Sequence, residues 1–268
     1  MSDMSDTLFS VAEQVVLVSG GSRGIGLALA RGFAQRGARV WITGRNADTL
    51  QAAAASLSGG AHAVRSLVCD VTVATQNQAV VETIVRECGR LDTLVNVAGV
   101  NIRQPAVNYS EEQFDYVMNI NLRGAFFMAQ AVGRAMLAQG HGSVINIDSL
   151  NSGGPLKNVT PYAMSKCGMN GMTRSLAIEW GPRGVRVNGL APGFILTDLT
   201  QKLWSDPTMQ TWNTANCPLG RLGVPDDLIG TAVFLASHAA GFLTGQTIYV
   251  DGGMLAGRVW PIPGDGGQ

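Results

Sequence analysis

Charge is scarce in this sequence. Asp, Glu, Lys and Arg make up 14% of its 268 residues, against roughly 25% in an average globular protein, so most of the chain must pack and neither disorder nor a coiled coil fits. The 19 basic and 19 acidic residues cancel, which leaves no global field to attract nucleic acid or an anionic membrane. Cysteine is limited to Cys69, Cys88, Cys167 and Cys217, without a Cys-x-x-Cys pair. That spacing points away from zinc and redox dithiols and towards buried free thiols in a reducing cytosol. His62, His141 and His238 lie far apart without ligand spacing, so no metal is expected. No apolar run approaches the roughly 18 residues of a membrane span. Met1 to Asp6 carry two acids and no base ahead of any apolar stretch, unlike a signal peptide, and a cytoplasmic location is expected.

Hydrophobic residues reach 46% and glycines number 34, about twice the roughly 7% average and without a collagen period, which implies tight turns and close backbone approaches. Short β-branched runs recur at Val15 to Val18, Arg39 to Thr43, Val64 to Cys69, Thr93 to Val97, Ser143 to Ile147, Val185 to Leu190 and Thr247 to Val250. Stretches of helical period separate them, such as Gly26 to Arg36 and Glu111 to Ala138. This alternation predicts an α/β fold: a doubly wound parallel sheet of about seven strands, the Rossmann fold, with helices on both faces. Residues 1–256 read as one domain, and the Gly- and Pro-rich residues 257–268 as an extended tail.

The first strand runs into Ser19-Gly20-Gly21-Ser22-Arg23-Gly24-Ile25-Gly26 and then a helix. Gly21 and Gly26 have Walker spacing, but Leu27-Ala28 stand where Lys and Ser/Thr would hold phosphate and magnesium. Gly20 to Gly24 also match the Gly-x-Ser-x-Gly nucleophile elbow of α/β hydrolases. Only 21 residues precede Ser22, too few for the strands and loop that supply an oxyanion hole. A dinucleotide loop fits better, with glycines admitting a pyrophosphate to the free N–H groups of a helix N-terminus.

Further on, Ser149 ends a strand, and Tyr162-Ala163-Met164-Ser165-Lys166 open a helix with Tyr and Lys on one face. Here the sequence resembles the short-chain dehydrogenase/reductase family, in order and over nearly the whole chain. The glycine loop is matched at Ser19 to Gly26, with Ser19 in place of the usual Thr, and the Asn-Asn-Ala-Gly segment by Asn96-Val97-Ala98-Gly99. Asn121, Ser149, Tyr162 and Lys166 match the catalytic positions, Pro192, Gly193 and Thr197 the Pro-Gly and later Thr, and Asp251-Gly252-Gly253 the late Asp-Gly-Gly. Asp148 departs from the family's common small polar residue. On the far side of the strand it is harmless, and near the site it alters local pKa values.

The resemblance implies hydride transfer between a nicotinamide and a carbonyl or alcohol, with Tyr162 as acid and base, Ser149 as hydrogen-bond donor and Asn121 supporting a proton relay. An ammonium near Tyr162 favours its phenolate, so Lys166 is expected to bring that tyrosine towards neutral pH. Cofactor contacts are implied at Gly20, Ser22, Arg23, Gly24, Ile25, Gly26, Asp70, Val71, Asn96, Ala98, Gly99, Tyr162, Lys166, Pro192, Gly193 and Thr197. The end of the second strand carries Gly44 where an NAD enzyme usually has an acid, followed by Arg45. Arg23 and Arg45 suit a 2′-phosphate, so NADP is expected rather than NAD.

Phe194 to Val224, with Trp204, is expected to cover the substrate pocket, and Asn151 is a further candidate substrate contact. Arg103 is either a contact for a substrate carboxylate, in a stretch that looks like that of sugar-acid and polyol reductases, or half of a surface salt bridge. A 3-oxoacyl thioester reductase is the other close likeness, for which Arg134 and Arg183 would form a basic rim. A non-catalytic nucleotide sensor would need neither Ser149, Asn121, Tyr162 nor Lys166 as a set. The resemblance also implies a homotetramer.

Overall fold

A computed structural model describes residues 7–57, 59–198 and 200–258. The expected tail, apart from Gly257 and Arg258, lies outside the described residues, as do Met1 to Asp6. In chain order the regular elements begin with β1 (Val15–Ser19), α1 (Gly24–Ala34), β2 (Arg39–Gly44), α2 (Ala47–Ser56), β3 (Arg65–Val68), α3 (Ala74–Cys88) and β4 (Thr93–Asn96). There follow α4 (Glu111–Met118), α5 (Ala125–Gln139), β5 (Gly142–Ile147), α6 (Thr160–Trp180), β6 (Val185–Pro192), α7 (Gln201–Trp204), α8 (Pro207–Asn216), α9 (Ile229–Ala236) and β7 (Thr247–Val250).

The strands form one sheet in the order β3-β2-β1-β4-β5-β6-β7, with every neighbouring pair parallel. Alternation along each strand divides the core. Val16, Val18, Val40, Ile42 and Ile145 pack with Leu29 and Phe33 of α1, Leu50 of α2 and Leu235 of α9 on one face. Val15, Leu17, Trp41 and Val144 pack with Ile84 of α3, Met128 and Val132 of α5, and Trp180 of α6 on the other. Both faces are therefore covered, as crossover helices require. β3 and β7 are only partly buried, because each edge strand has a single neighbour.

Two local features position the site. Sequence order reverses between β1 and β4, and in open α/β sheets ligands bind in the crevice beyond the strand C-termini at such a switch point. The long helical stretch after Ser110 also changes geometry in its middle: α4 gives way to a π-helical segment, Asn119–Gly124, before α5 begins. Such wide turns are frequent at functional sites.

Candidate active site

The glycine loop is shaped by backbone packing that leaves no room for side chains. A Cβ on Gly26 would stand 2.1 Å from the Gly20 carbonyl oxygen, and one on Gly20 would stand 2.8 Å from Ala98 N. Gly20 and Gly24 also hold positive φ angles of 86° and 53°, where glycine is strain-free. The Gly20 and Gly21 amides donate to Thr43 O, and the Val97 and Ala98 amides to Ser19 O, so the loops after β1 and β4 form one continuous floor. Arg23, the residue before α1, offers no side-chain cap. The first amides of this 11-residue helix thus face the crevice without a side-chain partner, which suits a pyrophosphate.

Beside that loop, a Cβ on Gly44 would meet Ser22 Oγ at 3.5 Å, so the end of β2 and the glycine loop adjoin. Arg23 and Arg45 are both exposed and, among the described residues, neither enters an ion pair. Asp70 is engaged locally: its Oδ1 accepts from the Thr72 amide at 2.9 Å and hydroxyl at 2.8 Å, and these bonds hold its carboxyl below the usual range against the opposing effect of burial, with help from Arg45. Val71 is buried against Gly124 of the π segment, and Ile25 packs on the core. Asn96 is buried too. Its Nδ2 donates to Ala125 O at 2.9 Å and Asn146 Oδ1 at 3.3 Å, which pins the end of β4 to α5. Gly193 closes against Asp251, whose Cα lies 2.6 Å from its would-be Cβ. Thr197 lies 3.7 Å from the would-be Cβ of Gly24, so the segment after Pro192 passes over the glycine loop.

The four expected catalytic residues converge from separate elements. Ser149 follows β5 and accepts hydrogen bonds at Oγ from the Asn151 amide at 3.1 Å and Asn151 Nδ2 at 3.2 Å. Both acceptor positions of the hydroxyl are thereby filled, and its own proton is left to donate. Ser149 also acts on Tyr162, whose pKa it pulls down and which is half-buried on the first turn of α6. One turn later Lys166 is 3% exposed. Its ammonium donates to Ile147 O at 2.6 Å and lies 5.7 Å from the Tyr162 ring centroid. Asn121, in the π segment, is fully buried. It pairs with both backbone groups of Val100, at 2.8 and 2.9 Å, and donates to Ser165 Oγ at 3.1 Å, joining the loop after β4 to α6.

The Tyr162 hydroxyl is pushed up from its usual pKa by burial and by the Asp148 carboxylate, while the Ser149 hydroxyl and the Arg103 guanidinium act the other way. The Lys166 ammonium donates to Ile147 O and lies 5.7 Å from the Tyr162 ring centroid, and burial lowers its pKa to about 8 despite the Asp148 charge. Asp148 therefore stays near the site. It is 3% exposed, and burial raises its carboxyl to about 6 against the attraction of Lys166.

The substrate-side residues separate. Arg103 is exposed, has no ion pair among the described residues, and acts electrostatically on Tyr162 and Tyr109; the salt-bridge alternative has no partner there. Asn151 sits behind Ser149, with Oδ1 accepting from the Leu156 amide at 3.0 Å. Its polar groups orient the serine, a role invisible without the loop's conformation. Trp204 is 3% exposed and meets the Phe194 ring edge-on at 5.0 Å, so it packs inside the covering segment. Arg183 precedes β6 and donates to Leu137 O at 2.7 Å, and Arg134 bonds Gln130 within α5. Arg183 thus stands at the opposite end of the sheet from Ser149.

Known proteins resemble the chain over nearly its whole length. The family model described as Enoyl-(Acyl carrier protein) reductase matches residues 20–255. The chain is 38% identical over 250 residues to gluconate 5-dehydrogenase of Gluconobacter oxydans (strain 621H), covering 92% of this chain and 96% of that protein. It is 41% identical over 245 residues to D-threitol dehydrogenase of Mycolicibacterium smegmatis, covering 91% and 94%. A gluconate 5-dehydrogenase from Burkholderia cenocepacia J2315, solved in complex with NADP and tartrate, superposes with a TM-score of 0.90 at 37% identity, covering 94% of this chain and 98% of that one.

Proposed function

The chain belongs to the short-chain dehydrogenase/reductase family, and from that premise we propose that it is an NADP-dependent oxidoreductase interconverting the ketone and secondary alcohol of a sugar acid or polyol. The observation that carries the chemistry is Ser149, fixed by Asn151 as a donor, with Tyr162 in its electrostatic reach and the Lys166 ammonium 5.7 Å from the Tyr162 ring centroid. NADP fits the uncapped start of α1, the side-chain-free floor at Gly20 and Gly26, and the unpaired Arg23 and Arg45. When bound it supplies or accepts the hydride.

The protein's own residues handle the proton and the orientation. Ser149 donates to the substrate oxygen and so stabilises the charge that develops there. Tyr162, whose phenol carries the transferable proton, gives it to that oxygen in reduction. In oxidation it takes the proton back as phenolate. Lys166 stands one helical turn below as a buried cation anchored on Ile147 O. Asn121 keeps the loop after β4 against α6, holding the nicotinamide side of the crevice to its shape.

Arg103 favours a substrate with a carboxylate, since a free guanidinium near Tyr162 can take an anionic group in a charge-assisted hydrogen bond. The name of one relative, gluconate 5-dehydrogenase, runs the same way, whereas the threitol named in another is a neutral polyol. A thioester carried on an acidic protein is less well served, because Arg183 stands at the far end of the sheet. Assembly as a homotetramer in the cytoplasm belongs to the same reading and rests on family resemblance.

The test is NADPH oxidation, followed by absorbance, against a panel of keto-sugar acids, polyol ketones and 3-oxoacyl thioesters. Tyr162→Phe should remove nearly all turnover and leave the NADPH Kd within a few-fold, because only the transferable proton is lost. Full activity in that variant refutes the assignment of Tyr162.

A further inference from the structure

β7 is a short edge strand, yet it holds both of the segments that carry Ser149 and Tyr162. Thr247 and Tyr249 alternate onto the same face of the strand. Thr247 Oγ1 accepts from Asn170 Nδ2 at 3.0 Å, and Asn170 lies on α6 one turn beyond Lys166. Tyr249 OH lies 3.2 Å from Ser152 Oγ, in the loop that follows Ser149. Ser152 Oγ in turn donates to Ser149 O at 2.8 Å. A hydroxyl has one proton to give, so Tyr249 is the donor in its bond to Ser152. The two bonds therefore run in series, from Tyr249 through Ser152 to the Ser149 carbonyl.

Packing closes the same contact. A Cβ on Gly153 would stand 2.8 Å from Tyr249 OH and 3.0 Å from Leu255 Cδ1, and one on Gly154 would stand 2.6 Å from Leu255 Cδ2. Leu255 is held there by Asp251, whose carboxylate accepts the Gly253 and Leu255 amides, each at 2.9 Å. From the other side, the Gly153 and Gly154 amides donate to Leu150 O at 3.1 and 2.8 Å. The turn after Ser149 is thus pressed between its own hydrogen bonds and the end of β7.

From this arrangement we infer that Tyr249 is a positioning residue: its hydroxyl, acting through Ser152, fixes the Ser149 backbone and so the point at which Ser149 Oγ meets the substrate oxygen. The inference rests on the oxidoreductase reading for its kinetic consequence and on the hydrogen bonds alone for its structural one. Asn151 settles which way the serine hydroxyl points, by filling its acceptor positions. Tyr249 settles where the residue stands relative to α6, which the same strand holds through Thr247. A donor aimed at charge that develops in the transition state loses more there than in the ground state when it is displaced. The effect therefore falls on kcat rather than on KM.

Tyr249→Phe, which removes the hydroxyl and keeps the ring, is the test. Its kcat for carbonyl reduction should fall about three- to tenfold, the size of one neutral hydrogen bond expressed in the transition state. KM and the NADPH Kd should stay within about twofold. Ser152→Ala breaks the same chain one link on, and the double variant should be no slower than the slower single one, because bonds in series are lost only once. In a Ser149→Ala background, Tyr249→Phe should have no further effect on the residual turnover, whereas a tyrosine that only stabilises the fold would lower it again. An unchanged kcat in Tyr249→Phe, or losses that multiply in the double variant, overturns the inference. Amide hydrogen exchange reads the same contact without substrate: protection across residues 150–156 should fall in Tyr249→Phe while that of the glycine loop is kept, and unchanged exchange there overturns the inference as well. A parent protein that reduces none of the carbonyls would instead defeat the oxidoreductase reading and leave the exchange result to decide the role of Tyr249.

Discussion

Replacing Gly44 by Asp, together with Arg45→Ile, should reverse the cofactor preference. Gly44 ends β2 outside the positive-φ region, and a Cβ there meets Leu50 and Ser22 at an ordinary 3.5 Å, so the fold should accept the side chain. The new carboxylate then stands beside the glycine loop. A unit charge about 5 Å from a 2′-phosphate, at an effective dielectric of about 20, is repelled by about 3 kcal/mol for each charge on the phosphate. Losing one charge-assisted arginine bond removes up to about 1.5 to 3 kcal/mol more. Screening at these exposed positions reduces both, which leaves about 3 kcal/mol, or a factor of about 100 against NADPH. The 2′-hydroxyl of NADH meanwhile gains an acceptor. Fluorescence titration of both reduced cofactors at fixed ionic strength measures the two Kd values, with Tm recorded to establish folding. The reasoning is refuted if the parent binds NADH as tightly as NADPH, or if a folded variant still prefers NADPH.

Other outcomes follow from neighbouring features. Arg103→Ala should raise KM for anionic ketones about tenfold, the low end for a charge-assisted bond at an exposed site, and leave neutral ketones nearly unchanged; equal effects would contradict a carboxylate contact. Gly26→Ala drives a methyl group into the Gly20 carbonyl, so the loop must open. NADPH affinity should fall at least about tenfold and stability by about 1 to 3 kcal/mol, whereas parental values would show the loop to be compliant. Asp148 has a folded pKa of about 6 against 3.8. A raised carboxyl contributes its stability below pH 3.8 and loses it as pH rises through 6, so at pH 8 the buried charge costs up to about 3 kcal/mol. Asp148→Asn should therefore raise Tm by several degrees at pH 8 and hardly at pH 4, less whatever Lys166 forfeits with its counter-charge; equal shifts at both pH values would refute the sign.

Much of the architecture was legible because buried parallel strands carry an unmistakable apolar pattern. Val15 to Val18 and Thr247 to Val250 fall within β1 and on β7, and the order of glycine loop, Ser149, Tyr162 and Lys166 locates the cleft. What escaped depends on where side chains turn after regular structure ends. β5 stops at Ile147, so period-two alternation says nothing about the side on which Asp148 falls. Asn151 looks like a pocket residue until its loop folds back on Ser149. The spacing of Tyr162 and Lys166 on one helical face places the ammonium near the ring, but its anchor on the Ile147 carbonyl is not readable from that spacing. The stretch Glu111 to Ala138 reads as one amphipathic helix, since a π segment keeps the same composition as its flanks.

That π segment is a stored residue. An α-helix advances about 100° per residue, so one surplus position between Met118 and Ala125 shifts the phase of everything downstream by about that angle. Val117 before it is buried, as are Met128, Val132 and Met136 after it. Tightening Asn119–Gly124 to α-helix at its present length would swing that apolar row away from the sheet by this angle, while carrying Asn121 off the Val100 backbone. The segment thus couples the phase of the packing face to the placement of one amide, so its length can be adjusted only if the rest of the helix is rewritten.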